Sequence, residues 1–356
     1  MKVKMTFAAL ALIAASCSNQ ELTEAVQDGQ DSNARVITLQ ASMPETADET
    51  PATRATYEPD GASVSGVVMK WTDTDKLKLC FKHGTAYYHK DATIVPGSIS
   101  ADGKTAAFTI EMPAEIGDGD AFDFYAVYQK RPYNMNETFG GVFEAGTANY
   151  RLVSQDYVSV TLDQTGRDGD GIINPMLLFS AQNTTKAGLG TLTLDLAHTG
   201  WIMALHLKNS TGAEMDLPKF IQFQYLTESP SSFIWNGLYL SSATVKMDVT
   251  TRTITSDDSE WVRKACVSFS VNEIDTRPLY GQKLAAGAEL VLYRWVVSTD
   301  QVNQMRANIF RKGAGSYDYS TNNLPARTVQ KGKVYHTFLN WDGTDLKITN
   351  RAGTAY

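Results

Sequence analysis

The chain has 356 residues, 43% of them hydrophobic and 20% charged, and a formal net charge of −7. That balance supports a substantial core, excludes wholesale disorder, and leaves room for two ordinary domains or one large β-domain. No Lys/Arg cluster interrupts the acidic background, which argues against nucleic acid as a partner, because phosphate neutralisation needs a basic face.

Taken in chain order, residues 1–16 read as a signal peptide. Lys2 and Lys4 make a short basic start, residues 7–15 are apolar but too short to span a bilayer, and small residues precede Cys17. The run Ala14-Ala15-Ser16-Cys17 resembles the lipobox of bacterial lipoproteins. That resemblance implies cleavage before Cys17 and a lipid on its thiol, so that the chain would be held in outer-membrane lipid. Residues 17–34 are polar and acidic and read as a flexible tether. Cys80 (KLKLCF) and Cys266 (KACVSF) sit in apolar strand-like runs. An exported protein could pair them, but two buried small hydrophobes is the preferred reading.

The stretch VITLQAS at 36–42 is the first candidate strand. Period two puts Ile37, Leu39 and Ala41 on one face, which is expected to be buried. The following residues 43–58 read as a soft linker of Thr, Pro, Ala and acids in which Arg54 is the one basic residue. Short β-rich runs then alternate with Gly and Asp turns. They are VVMKW (67–71), KLKLCF (76–81), TAYYH (85–89), TAAFTIEM (105–112) and AFDFYAVY (121–128). After 188 the pattern resumes with TLTLDL (191–196), WIMALHLK (201–208), FIQFQY (220–225) and ACVSFSV (265–271). ELVLYRWVV (289–297), VYHTFL (334–339) and DLKIT (345–349) complete it, and only residues 300–310 suggest a brief helix. The fold predicted is all-β, two tandem antiparallel β-sandwich domains at 35–187 and 188–356.

Motifs for chemistry are missing from the sequence. His83, His89, His198, His206 and His336 form no pair at metal spacing with Cys or Glu. No nucleophile elbow, metalloprotease, P-loop or dinucleotide pattern occurs. No catalytic residue, cofactor or metal is therefore expected, and the protein is not expected to be an enzyme. DQTGRDGDGIIN at 163–174 imitates a calcium loop through Asp168, Asp170 and Asn174 around Gly171. The first and last ligand positions fall on Gly166 and Leu177, so a solvated loop is the better reading. Most aromatic residues lie within strand runs and are expected to fill cores, with Tyr133 and Tyr150 as the exposed candidates.

These pieces together resemble the fimbrillins, pilin and pilin-like lipoproteins of type V fimbriae. The resemblance is carried by the lipobox at Cys17 with its acidic tether, and by the strand at 36–42 leading to Thr53-Arg54-Ala55. KWTDTDKLKL at 70–79, with Thr74 where a glycine is common, and KGKVYHTFL at 331–339 carry the rest. It implies a transthyretin-like sandwich pair, a place in the cell outer membrane and fimbrium, and a role in adhesion. It further implies that an arginine-specific protease cuts between Arg54 and Ala55, and that the strand bearing Ile37, Leu39 and Ala41 is then lost. A strand from another fimbrial subunit would fill the vacancy. Leu346 and Ile348, near the C-terminus, alternate suitably for such a donor strand. The alternative is a permanently lipid-anchored surface protein that binds a glycan or host protein.

Overall fold

Alternating apolar residues bounded by Asp and Gly turns form strands throughout a computed structural model, which describes residues 36–44, 69–129, 141–152, 175–226, 234–235, 245–256, 266–271, 279 and 281–356. The chain begins with β1 (Val36–Ser42), β2 (Lys76–His83), β3 (Ala86–Ile94), β4 (Thr105–Glu111) and β5 (Phe122–Tyr128). Two short strands, β6 (Val142–Phe143) and β7 (Asn149–Arg151), precede β8 (Leu177–Thr184). One helical turn, α1 (Lys186–Leu189), leads to β9 (Thr193–Asp195) and β10 (Ala197–His198). The β2–β3 hairpin turns through Gly84 and Thr85, and the φ of +59° at Gly84 is one that a side chain would resist.

Eight of these strands form one sheet in the order β10-β8-β5-β2-β3-β4-β1-β9. The edge strands β9 and β10 are separated in sequence by Leu196 alone, so the sheet curls until its two edges meet. Leu39, Leu77, Phe81, Phe108 and Phe124 are all buried in its core, and Trp71 packs edge-on against Phe108 and Tyr128.

Gly200 carries the chain from β10 into the second sheet. A Cβ there would stand 2.3 Å from the carbonyl oxygen of Val296 and 2.7 Å from the Trp295 ring, so only glycine fits. The strands that follow are β11 (Trp201–Asn209), β12 (Met215–Asp216), β13 (Phe220–Tyr225), β14 (Ile234–Trp235), β15 (Val245–Asp248), β16 (Thr253–Ser256) and β17 (Cys266–Ser270). Then come β18 (Lys283–Leu284), β19 (Glu289–Ser298), β20 (Gln301–Val302), β21 (Met305–Phe310) and β22 (Asp318–Leu324). The last are β23 (Arg327–Thr328), β24 (Val334–Trp341) and β25 (Leu346–Thr349). Nine strands form the second large sheet, ordered β14-β19-β11-β24-β25-β22-β21-β13-β17, while β15 and β16 join β7 and β6 in a small sheet beside the first.

A second core, with Trp201, Leu205, Phe223, Ile309 and Leu339, fills one face of this sheet. On the other face, Ile202, Ala204, Trp295, Val297 and Val334 belong to the first core. The central strands of the second sheet thus serve both cores, which is why β11 is buried at eight of its nine positions.

Four expectations are corrected. Residues 300–310 are strands β20 and β21 rather than a helix. Val302, Met305 and Ile309 stand three and four apart, which imitates a helical stripe, yet Met305, Ala307 and Ile309 enter the core with period two. Met69 and Trp71 are buried without belonging to a strand; the Trp71 amide instead donates to Gly103 at 2.8 Å. The sheets are not wholly antiparallel, since β1–β9, β11–β24 and β22–β25 are parallel pairs. Each joins strands far apart in sequence, where a tight turn cannot set the direction. Tyr150, expected at the surface, is 1% exposed on β7 with its ring against Phe143.

Candidate functional site

The site of interest is the seat of β1. Ile37 is half-buried, while Leu39, Ala41 and Met43 are 1%, 0% and 3% exposed, and all four lie on one face. Val36, Thr38 and Gln40 face solvent. Burying a large aliphatic side chain stabilises by roughly 1.5–3 kcal/mol, so Leu39 and Met43 hold the strand mainly through apolar contact.

Backbone pairing places β1 more tightly than its edge-like sequence position suggests. It runs antiparallel to β4 through seven residue pairs, from Val36↔Glu111 to Ser42↔Thr105. On its other side Gln40, Ala41 and Ser42 pair in parallel with Thr193, Leu194 and Asp195 of β9. β3 meets β4 at only two pairs, Thr93↔Thr109 and Ile94↔Phe108, so β1 supplies most of the ladder of β4. At the end of the strand, the Ser42 hydroxyl donates to Asp195 at 2.6 Å and the Met43 amide to the Lys104 carbonyl at 2.9 Å. Withdrawal of β1 would leave a seven-residue row of unpaired backbone groups above an apolar trough, which is what an added strand recognises.

Cys17, Arg54, Ala55, Tyr133 and the loop at 163–174 lie outside the described residues. The two residues assigned to a donor strand are described, and they are not on offer. Leu346 and Ile348 are 1% and 0% exposed in this chain's own second core. β25 pairs with β24 on one side and meets β22 on the other, where the Asn322 side chain both donates to the Ile348 carbonyl and accepts from its amide. The period-two pattern at 346–349 therefore reports an internal strand of this chain.

The sequence phrases behind the family resemblance have local structural work. In KWTDTDKLKL, Asp75 closes a turn by accepting from the Thr72 amide at 2.8 Å, which sets the start of β2. In KGKVYHTFL, Gly332 has φ +76° and stands so close to His198 that a Cβ would meet the ring at 3.0 Å. The Tyr335 hydroxyl accepts from the Gln330 amide at 2.7 Å, and its ring packs edge-on to Trp201.

One cluster was not legible. His206 and His336, on neighbouring strands β11 and β24, are each 8% exposed and lie 2.7 Å apart, Nε2 to Nδ1. The Glu289 carboxylate can only accept, so His206 donates through Nδ1 at 2.8 Å and accepts from His336 through Nε2. That leaves the His336 Nε2 buried without a hydrogen-bond partner. Burial, with help from His206 and Arg351, pulls the His336 pKa down to about 4. The two histidines are 130 residues apart in sequence, and only the parallel register of β11 and β24 brings them together. Cys80 is a free buried thiol, pushed up to about 12 by burial and then by Asp248. Its setting is that of a packing residue.

No protein-family model matches the chain, and no curated protein matches it. Among solved structures it is similar to a candidate cell adhesion protein from Bacteroides uniformis, with 12% identity and a TM-score of 0.41 over 88% of this chain and 96% of that one. A fimbrial assembly protein from Parabacteroides distasonis gives 10% identity and a TM-score of 0.37 over 88% and 94% of the two chains. The tip fimbrial protein Mfa3 from Porphyromonas gingivalis, truncated at its C-terminus, gives 10% and 0.32 over 88% and 97%.

Proposed function

We propose that this protein is a fimbrillin-like subunit of a cell-surface fimbrium that accepts a strand from a neighbouring subunit in place of β1. The observation that carries the reading is the seat itself. A seven-residue strand completes the first sheet and its core, yet it is joined to β2 only through the segment at 43–75. In this reading the chain reaches the outer membrane as a lipoprotein held through Cys17. A protease then cuts between Arg54 and Ala55, and loss of β1 opens the trough between β4 and β9. An incoming strand with matched apolar residues reburies the same surface, so assembly is driven by the contacts that first held β1. β25 is not the donor in the conformation described, because it is bonded on both sides. The chain's part in the exchange is that of acceptor.

The test is the variant Arg54→Ala in the native surface setting, followed by N-terminal sequencing and unheated SDS gels. The expected outcome is a persistent precursor that begins at Cys17 and forms no SDS-resistant ladder. Maturation to an Ala55 start in the variant would refute the cleavage step.

A further inference from the structure

The outer face of the second sheet carries an aromatic row that neither core uses. Met305, Ala307 and Ile309 of β21 point into the second core, so strand alternation puts Arg306, Asn308 and Phe310 on the opposite side. Tyr319 of β22 stands in register with Asn308, and Tyr317 comes from the loop just before that strand. The ring centroids of Phe310 and Tyr317 are 5.0 Å apart and those of Tyr317 and Tyr319 are 6.4 Å apart, which makes a continuous row. Tyr319 is 48% and Tyr317 37% exposed, among the few exposed large hydrophobic side chains described.

The charges on this row are one-sided. The Arg306 guanidinium lies 4.5 Å over the Tyr319 ring. It is held there by the side-chain oxygen of Gln224, which in its satisfied orientation accepts from Nε and Nη2 at 2.6 Å each. Lys219 sits 6.0 Å from the Phe310 centroid. The acid nearby, Asp318, is taken by Arg311. Lys219 and Arg306 thus pair with no carboxylate among the described residues, on a chain whose net charge is −7. Asn308 is 2% exposed between them, and its Oδ1 accepts no hydrogen bond.

We propose that this face binds an acidic carbohydrate. The apolar faces of the sugar rings stack on Tyr319 and Tyr317, as amphipathic ligands do on aromatic platforms. A carboxylate or sulfate group meets the free edge of the Arg306 guanidinium, whose planar fork is already positioned for it. Unpaired cations along the row select an anionic over a neutral sugar. The inference goes beyond strand exchange and does not depend on it, because β21 and β22 belong to the other sheet.

The test is calorimetric titration of the full, unprocessed chain with trigalacturonate, sialyllactose and a chondroitin sulfate tetrasaccharide, with maltotriose as the neutral probe. At least one acidic probe is expected to bind saturably, and maltotriose at least about tenfold more weakly. Tyr319→Ala is expected to weaken the acidic probe about tenfold or more, and Arg306→Gln to remove the preference over maltotriose. Thermal melts confirm that each variant folds, and where one does not, the other carries the test. Absence of binding by all three acidic probes would overturn the proposal, as would equal binding of maltotriose or indifference to both substitutions. Self-association of the chain that Tyr319→Ala abolishes, without sugar binding, would assign the face to a second copy instead.

Discussion

His336 shows how a single residue couples this fold to pH. Its folded pKa of about 4 lies below the ordinary 6.5, from burial first and then from His206 and Arg351. His198 is lowered to about 4 as well, from burial and then Lys104. A depressed histidine pKa means that the unfolded chain takes up the proton first as the pH falls. Stability is therefore complete above about pH 6.5, declines between 6.5 and 4, and declines no further from these groups below 4. The loss from His336 is on the order of 3 kcal/mol. Urea midpoints across this window are expected to fall less steeply in His336→Gln than in the parent chain, and equal slopes would contradict the assignment. At this scale the sequence was legible where burial follows from the residue's own strand, as for Leu39 and Ala41. It was not legible where a distant strand provides the cover. Tyr150 is enclosed with β15 paired beside it, from nearly a hundred residues on, and His336 by β11.

β1 is readable as an element because three properties coincide: β-prone residues, strict alternation, and a polar segment after it. Its neighbours were not readable, since the parallel pair with β9 depends on a return of the chain from 150 residues away. The same limit explains β25, where alternation at 346–349 is equally clear but cannot distinguish a spare strand from one clamped by Asn322. Residues 300–310 failed for a different reason, an apolar spacing that fits both periods. Ala41 is fully buried opposite Ala106 and beside Leu194, whereas Gln40 faces solvent. Ala41→Asp places a carboxylate in the trough without a partner, and is expected to expel the strand without any protease. Hydrogen exchange at the amides of β4 should then accelerate, while Gln40→Asp leaves it unchanged. Equal protection in both variants would mean that β1 is not what shields β4.

Across the described residues the two large sheets share a wall: the central strands of the second present one face to each core. An all-β chain of repeated short strands was visible in the sequence, and the strands through β10 fall in the first sheet apart from β6 and β7. That β15 and β16 come back to pair with β7 was not visible, because short polar hairpins look alike wherever they dock. With so much of the first core shared with the second sheet, loss of one strand need not unfold the protein, and the trough can persist as a vacancy for exchange. The most direct measurement is strand exchange on the full chain after a nick at Arg54 by an arginine-specific protease. A labelled peptide spanning residues 36–43 is offered to nicked and intact protein in excess. The nicked chain is expected to release its own N-terminal fragment, take up the peptide and regain protection along β4, while the intact chain takes up none. A nicked chain that neither releases the fragment nor binds the peptide would contradict it.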